Sequence, residues 1–254
     1  MTEIINCYSS FRGGEQSDDQ LCTYIFFRLV KIEKDASIQV ASDNIALAVE
    51  GIESIAKRYD IKRLSKYISF INLRAYNLHG DLYTDGKILK SGHLAPLYHS
   101  SKENAEDQKL NVDSIVKYWI SKGAPPKKLI LRTTFKAMSY TLAKTKKVDR
   151  DAPFVDTVKY RSTTTSYSFA CPNEKDRTWK KIYDKEQVPY VYEGKNVISY
   201  ENVASIKKKA EYVKSMKLAG VFVDCLEYDD NSGFCGRGKY PLLKTVKQVL
   251  GNKC

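Results

Sequence analysis

Arg74, Tyr76, Asn77 and His79 form a dense polar and aromatic group directly after the apolar stretch 70–73. That stretch, Phe-Ile-Asn-Leu, is typical of a buried strand. In parallel α/β folds, ligands bind where the carboxyl ends of strands meet. Tyrosine suits sugar contact because its ring is apolar and its tip is polar. The sequence therefore predicts a ligand-facing strand end here, which either performs chemistry or only retains its shape.

A second group with chemical potential is the acidic loop that begins at residue 224. Its carboxylates could be imagined as a replacement acid/base pair, and they belong to Asp224, Glu227, Asp229 and Asp230. Carboxylates without a positioned partner are usually solvated loop charges, so we expect no catalytic role for them. No Ser/His/Asp arrangement, Gly-rich phosphate loop or metal-ligand cluster is recognisable. The sequence therefore predicts neither a cofactor nor a metal.

Alternating strands and helices must position these groups. β-prone apolar runs predict strands at 4–8, 22–30, 37–40, 45–49, 70–73, 128–135 and 220–223. Helical periodicity predicts helices that end near 64–67 or span 111–122, 202–217 and 241–250. A helix that leads into a strand, twice over, indicates a parallel α/β architecture. Residues 137–200 are rich in Thr, Ser, Tyr and Lys with short β-prone patches, which indicates an inserted antiparallel subdomain.

The net charge of the 254-residue chain is +12, and basic runs such as 144–147 and 207–209 are spread along it. We interpret these runs as solvated faces, although a basic surface that binds anionic glycans is an open alternative. No basic run interleaves aromatics in a recognisable nucleic-acid module, so we expect no nucleic-acid partner. We also expect no membrane span, because no stretch reaches ~18 apolar residues. The oligomeric state stays open.

Six cysteines without a C-x-x-C pair fit disulfides and an oxidising compartment better than a zinc site. The first residues, in contrast, do not resemble a signal peptide. Cysteine usage and chain start therefore disagree about secretion.

Several motifs in order resemble glycoside hydrolase family 18, the chitinases. FINLRAYNLHG at 70–80 is similar to the sixth-strand motif FINVMTYDLHG of that family. GHLAPLY at 92–98 is similar to its GHNAPLY loop, and KAEYVKSMKLAG at 209–220 to its KVEYVKSKGLGG. Further matches lie at 7–8, 21–23, 111–129, 188–190 and 229–243. The resemblance covers almost the whole chain from Ile4 to Leu250.

The resemblance implies a (β/α)8 TIM-type barrel with an α+β insertion before the last strand. Barrel residues would be 1–136 and 201–254, and the insertion would be 137–200. It pairs Cys7 with Cys22 and Cys171 with Cys235, and leaves Cys225 and Cys254 free. It also implies an extracellular protein with chitin or chito-oligosaccharide as partner.

The catalytic motif of the family, DGxDxDxE, is absent, as is any D-x-D-x-E. In the family, its glutamate protonates the glycosidic oxygen while the N-acetyl group of the substrate attacks the anomeric carbon. The SxGG of the third strand is absent too, so the chain passes from near Asn44 to the fifth strand of the family. The resemblance therefore implies an incomplete barrel of about six strands instead of eight.

The resemblance also shows which positions have changed. The usual Met and Asp of the sixth strand fall at Arg74 and Asn77, while Tyr76, which binds the acetamido group in the family, is retained. The usual Tyr and Arg of the seventh strand fall at Lys136 and Met138. The usual Trp, the floor of the central sugar subsite, falls at Asp224. No catalytic residue is predicted, and the predicted substrate-binding residues are Tyr8, Tyr76, Asn77 and Asp224.

These expectations favour a catalytically inactive chitinase-like protein, a weak binder of chitin or N-acetylglucosamine oligosaccharides. Two alternatives remain. If an exon near codons 40–46 has been missed, the sequence would show the same gap, and the protein would be an active chitinase that hydrolyses the β-1,4 bonds of chitin. The protein could also be a basic interaction protein for anionic glycans.

Overall fold

The computed structural model describes residues 4–8, 24–25, 46–79, 92–101, 103–143, 163–183 and 189–251, the first two ranges as backbone only. The described residues form these strands: β1 Ile4–Tyr8, β2 Tyr24–Ile25, β3 Ala46–Glu50, β4 Phe70–Arg74, β5 Leu129–Thr134, β6 Lys136–Thr141, β7 Thr163–Ser166, β8 Lys180–Tyr183, β9 Pro189–Glu193, β10 Asn196–Ser199 and β11 Gly220–Asp224. Their helices are α1 Glu53–Ala56, α2 Ile61–Tyr67, α3 Val112–Ser121, α4 Tyr167–Lys175, α5 Val203–Ser215 and α6 Pro241–Leu250.

The first sheet is parallel throughout, with the strand order β2-β1-β11-β5-β4-β3. β11 therefore lies between β1 and β5, which brings the last strand of the chain beside the first. β2 and β3 form the two edges, and no ladder joins them within the described residues. The predicted α/β class with a parallel sheet is confirmed, and the described part of this sheet is open.

The second sheet is antiparallel, with the strand order β7-β6-β10-β9-β8. It begins at Lys136 and ends at Ser199, close to the limits predicted for the insertion. α4 contacts β6, β7 and β9. An antiparallel sheet with one helix is thus interposed between two parallel strands of the first sheet; the division of the chain into domains stays a prediction.

Side-chain caps fix where the main helices begin. Asn111 accepts a hydrogen bond from the Ser114 backbone N–H at 2.8 Å, and α3 starts at the next residue. Asn202 and Ser205 form a capping box at the start of α5. Such caps satisfy backbone donors that have no partner inside the helix. The helices predicted at 111–122 and 202–217 therefore occur almost where the sequence placed them.

The predicted strands agree with the structure where it describes them. The runs at 45–49, 70–73 and 128–135 became β3, β4 and β5, with shifts of about one residue. Of the run at 22–30, only Tyr24 and Ile25 are described, as β2, and the run at 37–40 lies outside the described residues.

Alternation along the parallel strands separates two faces of the sheet. Ile71, Leu73, Leu129 and Leu131 are fully buried and pack against Trp119 and other helix residues. The indole N–H of Trp119 donates to the Gly51 carbonyl at 3.0 Å, which fastens α3 to the end of β3. The residues of opposite parity, among them Asn72, Arg74 and Arg132, lie on the other face of the sheet. This second face becomes polar toward the carboxyl ends of the strands.

Two of the cysteine predictions can be compared with the structure. Cys171 and Cys235 form the predicted disulfide, and Cys225 is free and buried as expected. The predicted Cys7–Cys22 pair and the free Cys254 lie outside the described side chains. Within the ranges described above, no helix combines the length and apolar character needed to cross a membrane.

Candidate functional site

Strand register brings four distant segments together at the carboxyl edge of the parallel sheet. Glu50 of β3 lies opposite Arg74 of β4, which lies opposite Arg132 of β5. Two residues further along these strands, Asp224 of β11 lies between Thr134 of β5 and Tyr8 of β1. Tyr76 follows β4 and extends into the same region. We call Glu50, Arg74, Tyr76, Arg132 and Asp224 the strand-end cluster.

Asp224 is the hub of this cluster. Its carboxylate accepts hydrogen bonds from the Tyr76 hydroxyl, from the Arg132 guanidinium at 2.7 Å and from the Cys225 thiol at 2.8 Å. Burial acts to raise the pKa of Asp224, but the hydrogen bonds from Cys225, Tyr76 and Arg132 and the charge of Arg132 outweigh it and lower the pKa overall. Asp224 is therefore held as a carboxylate.

The Tyr76 ring lies between the two arginines. Its centroid is 5.0 Å from the Arg74 guanidinium carbon and 5.7 Å from that of Arg132, which is within cation–π range. Burial, followed by the hydrogen bond to Asp224, raises the pKa of Tyr76 above its usual value of 10.0. The phenol consequently stays protonated and donates to Asp224.

The charges of the strand-end cluster cancel. Arg74 pairs with Glu50 at 2.5 Å and Arg132 pairs with Asp224 at 2.7 Å, so two cations face two anions. A cluster that neutralises itself has no excess charge for an ionic ligand. Uncharged hydroxyl and amide groups fit it better, because the two pairs still expose part of their polar surface.

Asp224→Asn should show how this cluster depends on pH. The folded-state pKa of Asp224 lies below the unfolded value of 3.8, so its contribution to stability is present above that value. It is lost as pH falls through the folded-state pKa. Hydrogen bonds to a charged group contribute roughly 1.5–3 kcal/mol, so we expect the variant to be about 2 kcal/mol less stable at neutral pH. Urea titrations of both proteins should show this difference shrinking below about pH 4; a difference that is constant with pH would contradict the charged role of Asp224.

Two other acids in the loop after β11, Asp229 and Asp230, have structural roles. Asp229 accepts hydrogen bonds from the backbone N–H groups of Asp230, Leu242 and Leu243, and so caps α6. Asp230 accepts from the backbone of Gly233, Phe234 and Cys235. Burial raises the pKa of Asp229 to about 6, but its oxygens are directed at the α6 backbone. The geometry therefore gives no support to a replacement acid/base pair.

Both histidines near the predicted site bind backbone. His79 Nε2 lies 2.8 Å from the Leu110 carbonyl, and His93 Nε2 lies 2.6 Å from the Tyr200 carbonyl. His93 Nδ1 accepts from the Ala95 backbone N–H at 3.0 Å, so Nε2 carries the proton and donates. These contacts hold loops in place. In the part of the chain that the structure describes, no group of His, Cys, Asp and Glu could hold a metal ion.

The structure brings two of the four predicted substrate-binding residues, Tyr76 and Asp224, into direct contact. Asn77 follows in the left-handed conformation, φ 58°, which asparagine tolerates better than most residues. Tyr8 lies beside Asp224 in the β1–β11 ladder, and its side chain is outside the description. Sequence reasoning missed Glu50 and Arg132; an arginine inside the otherwise apolar run of β5 was the available signal.

The sequence of the chain is similar to known glycosyl hydrolases. Residues 42–229 match the model of the glycosyl hydrolases family 18. The chain is 32% identical to mouse chitotriosidase-1 over 94% of its own length, and 30% identical to human chitinase-3-like protein 2 over 80%. It spans 52% of each of these relatives, about half of their length.

The solved structures that resemble this chain are also chitinases or chitinase-like proteins. A group IV chitinase from Ostrinia furnacalis is 32% identical, with a TM-score of 0.71 over 81% of this chain and 57% of that one. Human YKL-39, described as a pseudo-chitinase with retained chitooligosaccharide binding, is 28% identical, with a TM-score of 0.73 over 82% of this chain and 58% of that one. Similar proteins thus include both a chitinase and a pseudo-chitinase.

Proposed function

Because this chain belongs to the glycosyl hydrolases of family 18, we propose that it is a chitinase-like protein that binds chito-oligosaccharides weakly and does not hydrolyse them. The binding site would be the strand-end cluster. One observation carries the proposal: Asp224, Tyr76 and Arg132 bind one another at the carboxyl edge of the parallel sheet. The resemblance to the family implies that its central sugar subsite lies there. The family assignment itself is independent of this proposal.

The absence of a proton donor supports the inactive state. No D-x-D-x-E occurs in the chain, and the pKa of Asp224 is lowered rather than raised. A general acid needs a pKa near the working pH, which enzymes obtain by raising the pKa of a carboxyl group. Asp224 therefore does not meet the requirement for replacing the missing glutamate.

Chain length supports a barrel that lacks two strands. Only 20 residues separate Ile25 of β2 from Ala46 of β3. Parallel strands need crossover connections of a dozen or more residues, so two further strands with their connections would need about 45. We propose that the barrel has six strands instead of eight, and that residues 137–200 are its insertion.

The chemistry of the cluster supports weak binding. Among the described residues, most of its polar groups already bind one another, the exceptions being the buried Nε atoms of Arg74 and Arg132, so a sugar hydroxyl must compete with existing hydrogen bonds. The acidic side chain of Asp224 also offers no face on which a pyranose ring could stack. Affinity would come from hydrogen bonds to the partly exposed side chains of Glu50, Arg74 and Arg132, since Tyr76 itself is buried.

The Cys171–Cys235 disulfide supports an extracellular location, because disulfides persist in oxidising compartments. A secreted protein that recognises chitin fragments without cleaving them would act as a receptor or scavenger of those fragments.

Isothermal titration with chitotetraose and chitohexaose tests the binding proposal. We expect a Kd on the order of 1 mM, equivalent to about −4 kcal/mol. Tyr76→Phe should weaken binding by roughly fivefold, because it removes one hydrogen-bonding hydroxyl from the cluster. Tyr118→Phe, at a half-buried position of α3, is the matched control and should leave the affinity unchanged. No heat with either oligosaccharide at about ten times that concentration would refute binding.

A fluorogenic chitotriose substrate tests the absence of hydrolysis separately. We expect no release of fluorophore above the uncatalysed rate. Hydrolytic activity that co-purifies with the protein and is lost in Asp224→Asn would show that the chain does contain a catalytic acid.

A further inference from the structure

A groove on the outer surface differs in charge from the strand-end cluster. It is bordered by the α1–α2 connection and by one side of α2, has a volume of about 450 Å³, and is lined by Arg58, Tyr59, Asp60, Arg63, Leu64 and Tyr67. We call it the α2 groove. Arg63 and Tyr67 are one helical turn apart, so both project along the same side of α2.

Positive charge is concentrated around the α2 groove. Five exposed basic side chains occur between positions 57 and 67: Lys57, Arg58, Lys62, Arg63 and Lys66. Asp60 is the one acid in that stretch, and its carboxylate accepts the Arg63 backbone N–H at 3.0 Å as the cap of α2. Within the described residues, neither Arg58 nor Arg63 forms an ion pair. Both guanidinium groups can therefore bind an anion.

Aromatic rings form the apolar part of the same groove. Tyr67 is 71% exposed, which is high for a large ring. Tyr59 packs against the buried Trp119, with ring centroids 5.8 Å apart, so its position is fixed by the core. An apolar ring in the same groove as two guanidinium groups suits a ligand that alternates flat apolar faces with anionic groups.

We propose that the α2 groove binds an acidic polysaccharide, with Arg58 and Arg63 on its sulfate or carboxylate groups and Tyr67 against a sugar ring. Arginine binds such groups through two parallel hydrogen bonds, which a lysine cannot do. Lys57, Lys62 and Lys66 extend the positive surface beyond the groove, so a chain of several sugars gains more than a single one.

This site is separate from the proposed chito-oligosaccharide site. Ile61 of α2 packs with Ile71 and Leu73 on the helix-facing side of β4. Arg74 and the rest of the strand-end cluster lie on the opposite side of that sheet. The strand-end cluster is neutral and the α2 groove is basic, so the two sites should bind different ligands. Each binding proposal can therefore be refuted without the other.

Binding of a heparin hexasaccharide, used as a sulfated probe, tests the proposal. We expect the affinity to fall steeply as salt rises above about 0.15 M, since salt screens exposed charges. Arg58→Gln/Arg63→Gln should weaken binding by about tenfold or more, and Tyr67→Ala by roughly threefold to tenfold. Chitohexaose titration of the same variants should be unchanged, and thermal melts should confirm that they fold.

Lys207→Gln/Lys208→Gln is the matched control, because it removes two exposed charges from α5, which packs at β11 rather than β4. It should weaken heparin binding by less than about twofold. Equal losses in both double variants would overturn the site in favour of diffuse attraction. So would the absence of heparin binding, retained affinity for a hexasaccharide that carries neither sulfate nor carboxylate groups, or equally tight binding of a DNA oligonucleotide or an anionic vesicle at the same arginines.

Discussion

Replacing Lys209 by methionine is expected to lower the free energy of unfolding by about 3–5 kcal/mol, the usual cost of removing one partner from a buried ion pair. Lys209 is 2% exposed and Glu201 is 1% exposed, and the ammonium group binds the Glu201 carboxylate directly. Ser205 donates to the other carboxylate oxygen at 2.6 Å. Without the ammonium group, Glu201 would keep a buried charge with only one hydroxyl to compensate it.

The pKa directions agree with this expectation. Burial raises the pKa of Glu201 and lowers the pKa of Lys209, because both charged forms lose hydration. The pair persists because each group offsets the desolvation of the other. Glu201 also lies at the junction between β10 and α5, with His93 Nε2 3.8 Å away. Loss of the pair should therefore weaken the connection between the two sheets.

Urea unfolding followed by circular dichroism measures this effect. Lys208→Met is the matched control, because Lys208 is adjacent to Lys209 on the same helix but is exposed and pairs with Glu211 at the surface. It should change stability by less than about 0.5 kcal/mol. Lys209→Met/Glu201→Gln should recover part of the loss, because it removes the uncompensated charge. Equal stabilities of Lys209→Met and Lys208→Met would show that the buried pair contributes nothing.

Lys209 also illustrates where sequence reasoning failed. The run 207–209 was interpreted as a solvated face, and this is wrong for its last member. Lys209 lies on the side of α5 that buries Ile206, Ala210 and Val213. Helical periodicity alone would have placed it there. A composition argument treated three adjacent lysines as equivalent, although neighbours on a helix point in different directions.

Much of the fold was predictable because its signals are local. Asparagine caps, the apolar spacing of α3 and the β-branched run of β11 each indicate an element without reference to the rest of the chain. The parallel arrangement followed from alternation of helices and strands. α1 was missed because four residues are too few to establish a helical period.

The candidate site was less predictable because its contacts are not local. Arg132 and Asp224 are 92 positions apart, and only the β5–β11 register makes them neighbours. Resemblance to the family identified Tyr76 and Asp224 as site positions but gave no reason for them to bind each other. That contact depends on the replacement at Asp224 and on the strand order that brings β4 near β11, which single-motif comparison does not reveal. The charge balance of the cluster is therefore a finding of the structure.

Removing the disulfide in Cys171→Ser/Cys235→Ser is expected to lower the free energy of unfolding by about 4 kcal/mol. The two cysteines are separated by 64 positions, and cross-linking a loop of that size reduces the entropy of the unfolded chain by about this amount. The bond joins α4 to the loop after β11. Lys175 of α4 donates to the Cys235 carbonyl at 2.9 Å, so the link would be weakened but partly retained. Within the loop, Asp230 accepts from the Cys235 backbone N–H at 2.7 Å and so keeps Cys235 in place.

Comparison of oxidised and reduced protein provides the control for this prediction. Urea titrations in a reducing agent should lower the stability of the wild type at least to that of the double variant. The reducing agent should not lower the free energy of unfolding of the double variant through Cys171–Cys235, because that bond is already absent. If the wild type and Cys171→Ser/Cys235→Ser unfold at the same urea concentration without reductant, the contact of Lys175 suffices to join α4 to the loop. The disulfide would then contribute little to the stability of the fold.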